Sequence, residues 1–144
     1  MSLIRGFAVV IGALILAIAG FIAVELMSSV LHPFPPGVNP TDMEACRAHV
    51  ARYPTGVLLL CGVGWWLTVL ASSWLATRLG ANRHPAHGII VGLILLALAV
   101  CNMAMLPYPI WFWINVIMFP VCSAGGIWRG RQGGMQKLSR EGAN

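Results

Sequence analysis

No Asp, Glu, Lys or Arg occurs between Arg83 and Arg129, and an uncharged run of that length has few ways to fold in water. A bilayer core about 30 Å thick takes roughly 20 apolar residues as a helix, because only a helix or a closed barrel satisfies the backbone in lipid. Pro107, Tyr108 and Pro109 divide the run, since each proline removes a donor and biases the preceding residue away from helix. Spans are therefore expected at residues 88–106 and 110–128, the second kinked at Pro120. Two further stretches qualify: residues 7–31, interrupted only by Glu25, and residues 56–77. Only 9% of the chain is charged and 58% is hydrophobic, whereas a soluble domain has about a quarter of its residues charged. The expected fold is an all-α membrane protein, a four-transmembrane-helix bundle with little chain left for a soluble catalytic domain.

The first stretch has the outline of a signal peptide, with Arg5 before the apolar run and Ala17-Ile18-Ala19 as a cleavage-like site. Its apolar character continues well past Ala19, which favours a retained span. Arg5, Arg78, Arg83, Arg129, Arg131, Lys137 and Arg140 fall on one side of the spans, and only Arg47 and Arg52 on the other. By the positive-inside rule the first side, with both termini, is expected to be cytoplasmic. Tyr108, Trp111 and Trp113 stand where an outer aromatic belt belongs, and Trp128 and Trp74 at the inner edge.

The outer loop, residues 32–54, opens with His32-Pro33-Phe34-Pro35-Pro36-Gly37, a stiff extended segment. A short helix is expected from about Pro40, started by Asn39 before the proline or by a capping box of Thr41 and Glu44. Met43, Cys46, Val50 and Tyr53 recur at helical spacing, with Glu44 and Arg52 opposite and Arg47 at the edge. That pattern predicts an amphipathic interfacial helix lying as a lid over the bundle.

Spans associate in lipid through close packing of small residues. Gly88 and Gly92 form a GxxxG at the start of the third span; Ala13, Ala17 and Gly20, then Gly62, Gly64, Ala71 and Ala76, and finally Ser123 to Gly126 serve the others. These are expected to close the bundle internally, or else to meet a second subunit.

Polar groups in the spans carry what chemistry there is. Glu25 lies roughly 9 Å below the outer end of its helix, and Cys61, Cys101, Asn102 and Asn115 roughly 6 to 8 Å below theirs. The five form one expected layer in the outer leaflet, with His32, Arg47 and Arg52 just above it. Glu25 is read either as a proton or cation site with a pKa raised by burial, or as a tether, paired with Arg47 or Arg52 or held protonated by Asn102 and Asn115.

Other chemistries have weaker signals. The net charge of +5 is scattered at span ends with no basic stripe, so no nucleic acid is expected. Cys46, Cys61, Cys101 and Cys122 form no C-x-x-C, which opposes a disulfide framework, a zinc site or thiol redox chemistry. His84 and His87 lack further ligands nearby, and no histidines lie within the spans to hold haem. Asp42, Cys46 and His49 share one side of the lid helix, the nearest approach to an enzyme site. No metal and no catalytic residue is assigned, and no cofactor, although lipid, quinone or pigment can fill grooves between spans. The basic tail, residues 129–144, is expected to be flexible and held at anionic headgroups.

The order Glu25, His32-Pro33-Phe34-Pro35-Pro36-Gly37, Pro40 to Asp42, Tyr53-Pro54, Asn102 and Leu106-Pro107-Tyr108-Pro109-Ile110-Trp111-Phe112 resembles an uncharacterised family of small bacterial inner-membrane proteins of four spans. The resemblance covers about residues 10–128. It implies a bacterial inner membrane and this layout, and supplies no reaction. The chain departs from the pattern in having Tyr108 where a His is expected and fewer glycines late in the second span.

The first functional expectation is a non-catalytic accessory or structural subunit packed on a larger inner-membrane complex of respiratory or photosynthetic type. Its partners are membrane lipids and other membrane subunits or copies of itself. A small oligomeric proton-coupled transporter using Glu25 is the alternative, and an enzyme acting on a lipid or quinone the third.

Overall fold

The computed structural model describes residues 2–141, with side chains from Ile4 to Gln132. In chain order the helices are α1 (Ser2–Leu31), α2 (Met43–Val50), α3 (Thr55–Leu79), α4 (Pro85–Met105) and α5 (Asn115–Glu141), with short 3-10 turns at Ala81–Arg83 and Ile110–Ile114. Four stretches, Ile4–Leu31, Thr55–Leu79, Pro85–Met105 and Ile110–Gln132, are long and apolar enough to cross a membrane. The chain is an all-α four-helix membrane bundle, with α2 as the short helix in the loop between α1 and α3.

Prolines set most of the boundaries. Pro33 disfavours helix at His32, where α1 stops. Pro54 stands at the N-cap of α3 and Pro85 in the first turn of α4, where a missing N–H costs nothing. Leu106, before Pro107, is extended and ends α4. The turn joining α3 to α4 takes Asn82 and Arg83 through positive φ, 53° and 51°, a conformation that asparagine tolerates better than arginine.

α3 is the central helix. It packs against α1, α4 and α5, most extensively against α5, while α1 and α4 touch each other little. The small residues named above do close the bundle from within. Ala13 and Ala17 on α1 are fully buried, and a Cβ on Gly20 would lie 2.6 Å from Thr68 Oγ1. A side chain at Gly88 would strike Thr77, Ile127 and the Ser73 carbonyl, and one at Gly92 would strike Ser123. Gly126 lies against the backbone of Leu70 and Trp74 and Gly130 against Trp74 and Thr77. Ser73 Oγ donates to Ser123 Oγ at 3.0 Å and Thr77 Oγ1 to the Ser73 carbonyl at 2.9 Å. This half of the bundle, remote from the lid, is thus shut by near contact of backbones.

One expectation about the fourth span needs correction. The helix passes Pro120 and Trp128 without interruption to Glu141, so residues 129–141 continue the helix rather than starting a flexible tail. Extending an existing helix costs far less than nucleating one, and the buried Gly130 shows α3–α5 packing reaching past Trp128. Trp111, Trp113 and Trp128 are exposed as belt residues should be, whereas Trp74 is half-buried with the Arg78 guanidinium 5.0 Å from its ring centre.

Candidate functional site

The lid helix forms one turn later than expected. Asp42 is the N-cap, its carboxylate accepting from the Glu44 amide, while Asn39 Oδ1 accepts from the Thr41 amide and hydroxyl. Asp42 thus replaces the capping box of Thr41 and Glu44, and Pro40 remains outside the helix. The face turned to the bundle is Cys46, His49, Val50 and Tyr53, with His49 buried and Met43 exposed. The spacing of Cys46 to His49 was visible in the sequence, but the polar ring concealed an inward position.

Three side chains fasten the lid. Arg47 Nε donates to the Met105 carbonyl at the end of α4, 3.0 Å away. Tyr53 donates to Ser28 Oγ on α1 at 3.3 Å, and His49 Nε2 lies 3.2 Å from the His32 carbonyl. The His49 ring is sandwiched between His32 and Phe34, with centroids 4.4 and 3.8 Å away. His32 Nε2 is buried without a hydrogen-bond partner.

Burial, and next the neighbouring His32, lowers the His49 pKa below its ordinary 6.5. A docked lid holds this ring neutral, and an undocked lid lets it titrate normally. Docking is therefore undiminished above about pH 6.5 and weakens as pH falls below it, down through the lowered value. Amide exchange in residues 43–53, corrected for intrinsic rates, is expected to quicken on acidification. The gain is about tenfold for each unit by which docking lowers the pKa, and a His49→Phe variant should lose it. An unchanged profile in that variant would place the effect elsewhere.

Beneath the lid is a chamber of about 360 Å³ lined by Glu25, Ser28, Phe34, Cys46, His49, Tyr53, Cys61, Trp65, Asn102, Tyr108 and Phe112 among others. Between α1 and α4, where direct contact is slight, a groove of about 380 Å³ is lined by Phe21, Ile22, Glu25, Trp65, Leu95, Leu98, Ala99 and Asn102. Glu25, Trp65 and Asn102 belong to both. The two spaces therefore adjoin at these side chains, one at the level of the lid and the other on the apolar flank of the bundle.

Trp65 holds this junction in place. Its ring meets Phe21, Phe112 and Phe119 edge-on, with centroids 5.4 to 6.3 Å apart. Tyr108 stacks on Phe112 at 4.7 Å and donates its hydroxyl to Asn102 Oδ1 at 3.2 Å. Burial pushes the Tyr108 phenol well above its ordinary pKa, so it remains a donor. The residue standing where a His was expected thus fixes Asn102 through a neutral hydrogen bond.

The five polar residues expected in one layer separate into three groups. Glu25, Cys61 and Asn102 face the chamber. Asn115 is buried behind it, its Oδ1 accepting from Trp66 Nε1 at 2.7 Å and its Nδ2 donating to the Phe112 carbonyl at 2.6 Å. Cys101 is exposed on the flank. Among the described residues Glu25 has no cation within 4.0 Å. Arg47 is engaged with Met105, Arg52 is exposed, and the tether readings of Glu25 through Arg47, Arg52 or Asn115 are not realised. Asp42, Cys46 and His49 do not converge either, since Cys46 donates to the Pro40 carbonyl while Asp42 caps the helix. At the other end of the bundle His84 caps α4 by accepting from the Ala86 amide, and His87 fills the space left by Gly6 and Gly80.

Phe34, Tyr53 and Trp65 are the site residues that span arithmetic overlooked, because aromatic rings near a membrane surface read equally well as belt. No family model, curated protein or solved structure matches the chain, so the lid, the chamber and the groove are what define it.

Proposed function

We propose that this chain is a non-catalytic accessory subunit of a larger bacterial inner-membrane complex, holding a lipid-like amphiphile in the outer leaflet. The head would occupy the chamber and the chain the groove between α1 and α4. The observation that carries this reading is that Glu25, Trp65 and Asn102 line both the chamber at lid level, where the polar groups Ser28, His49 and Tyr53 also gather, and the apolar groove on the flank of the bundle. At about 360 Å³ the chamber is at the small end of ligand pockets, with room for a headgroup and not for a tetrapyrrole pigment. The bacterial membrane and the orientation rest on the family resemblance and on the distribution of Lys and Arg.

The subunit part of the proposal draws on the outward face of α1. Ala8, Gly12, Ala19 and Ala23 are exposed there, and a Cβ at Gly12 would meet nothing within 4 Å. The small-residue spacing that closes the bundle inside is repeated on a face the bundle leaves open, as close approach of a further helix requires.

Purification in mild detergent followed by native mass spectrometry tests both parts. A complex of defined stoichiometry carrying a co-purified amphiphile is the expected result. Leu98→Trp, which fills the groove from an exposed position, should lose the amphiphile and keep the fold. A small homo-oligomer with no bound amphiphile would overturn the reading. It would favour the second one, a proton-coupled transporter, for which the unpaired Glu25 at the meeting of two cavities is the supporting observation. Glu25→Gln should then abolish transport in proteoliposomes without altering assembly.

A further inference from the structure

The chamber's walls bear on the kind of head it accepts. Six of its lining residues present aromatic rings, Phe34, His49, Tyr53, Trp65, Tyr108 and Phe112. Ring faces carry negative potential and attract cations, most strongly where water is excluded. Glu25 is the single acidic residue in the lining, and no Lys or Arg contributes to it.

Several hydrogen-bond donors in the lining are already engaged. The Tyr108 hydroxyl donates to Asn102, the Tyr53 hydroxyl to Ser28, the Ser28 hydroxyl to the Glu25 carbonyl and the Cys46 thiol to the Pro40 carbonyl. Burial keeps His49 neutral in the docked lid. What remains for a ligand is a carboxyl group, lone pairs, ring faces and a few neutral donors, the Asn102 amide, the Trp65 indole N–H and the Cys61 thiol, with no cationic one among them. A free phosphate, sulfate or carboxylate head would lose its water and gain few donors, which is costly for a buried charge.

We propose that the ligand is an amphiphile with an alkylated ammonium head, seated against Glu25 and the ring faces of the chamber while its hydrocarbon chain follows the groove along Ile22, Leu95 and Leu98. A methylated nitrogen suits the site better than a primary ammonium, because it needs few acceptors and presents apolar, positively polarised methyl groups to the rings. This deepens the reading above and rests on it. Two sources share this chemistry, the headgroup of a choline-type lipid and a free single-chain amine.

The probe is decyltrimethylammonium, titrated by isothermal calorimetry into the full-length protein in maltoside micelles, with decanol and decylubiquinone as uncharged comparisons. The wild type is expected to bind the ammonium compound and the uncharged ones at least about tenfold more weakly, the range set by a charge-assisted contact. Glu25→Gln should lower affinity for the probe by about tenfold or more. Phe34→Leu should lower it about two- to fivefold. Circular dichroism and elution volume of both variants serve as the check on folding. Competition by added phosphatidylcholine assigns the lipid headgroup as the source, and its absence assigns a free amine.

Equal binding of decylubiquinone or decanol, or binding of the ammonium probe that is unchanged in folded Glu25→Gln, would overturn the cationic head and leave the amphiphile site standing. No binding of any of the three by the wild type would overturn the site itself.

Discussion

Gly126→Val is expected to destabilise the bundle by about 3 kcal/mol or more, enough to empty the folded state of a small membrane protein in detergent. Gly126 is buried where α5 crosses α3, and its missing Cβ would meet the Leu70 carbonyl oxygen and, at 2.9 Å, the Trp74 amide nitrogen. Those are backbone atoms, so no rotamer change relieves the clash, and the helices must separate. Separation would also pull apart Ser73 and Ser123, whose hydroxyls bond at 3.0 Å, and lipid offers those groups no replacement. Gly125 is the control one residue away, since a Cβ there would meet nothing within 4 Å. Thermal unfolding followed by circular dichroism should show a large loss for the first variant and little change for Gly125→Val. Equal behaviour of the two would mean that α3 and α5 do not pack as described.

Asn115→Leu should be nearly as damaging, for an electrostatic reason. The two side chains have the same number of heavy atoms and the same branching, so no cavity results. Asn115 is 1% exposed, and its amide joins Trp66 of α3 to the Phe112 carbonyl in the turn before α5. Leucine leaves the indole N–H unpaired, at about 1–3 kcal/mol, and takes from the Phe112 carbonyl its side-chain partner, leaving it the backbone N–H of residue 115. Trp66→Phe removes the orphaned donor, so the double variant should recover about 1–2 kcal/mol relative to the sum of the single ones. Simple additivity would count against the Trp66–Asn115 bond. Because Phe112 also walls the chamber, Asn115→Leu should weaken ligand binding even in the fraction that remains folded.

The spans, the lid and the internal use of the small residues were legible because each follows from local chemistry. An uncharged run split by Pro107 and Pro109 admits little but two helices, and Gly88 with Gly92 marks a close approach whatever the partner. The layer of polar residues was legible only in depth. Counting residues along a helix gives height above the midplane, not direction around the axis, and so could not tell that Asn102 faces the chamber, Cys101 the flank and Asn115 the α3 interface. The lid erred in the same way. Hydropathy placed Met43 inward and passed over His49, whereas Met43 is exposed and stacking against His32 and Phe34 stabilises a buried neutral imidazole that no hydropathy scale represents. The helix from Arg129 to Glu141 was missed because glycines and charges read as a stop, although packing of Gly130 on α3 carries the helix onward.

The dominance of the α3–α5 interface also bears on how the protein is made. Emerging first, α1 and α3 can pair through Ala13, Ala17 and Gly20, but α3 then still shows the membrane its Ser73 hydroxyl and the Trp66 indole, whose partners belong to α5. A chain halted before α5 would therefore sit in the bilayer with a polar stripe facing lipid, the kind of surface that insertion chaperones retain and membrane proteases recognise. Completion of the final helix becomes the checkpoint at which a nascent chain turns into a bundle, so C-terminal truncations should be cleared from the membrane rather than accumulate as three-helix fragments.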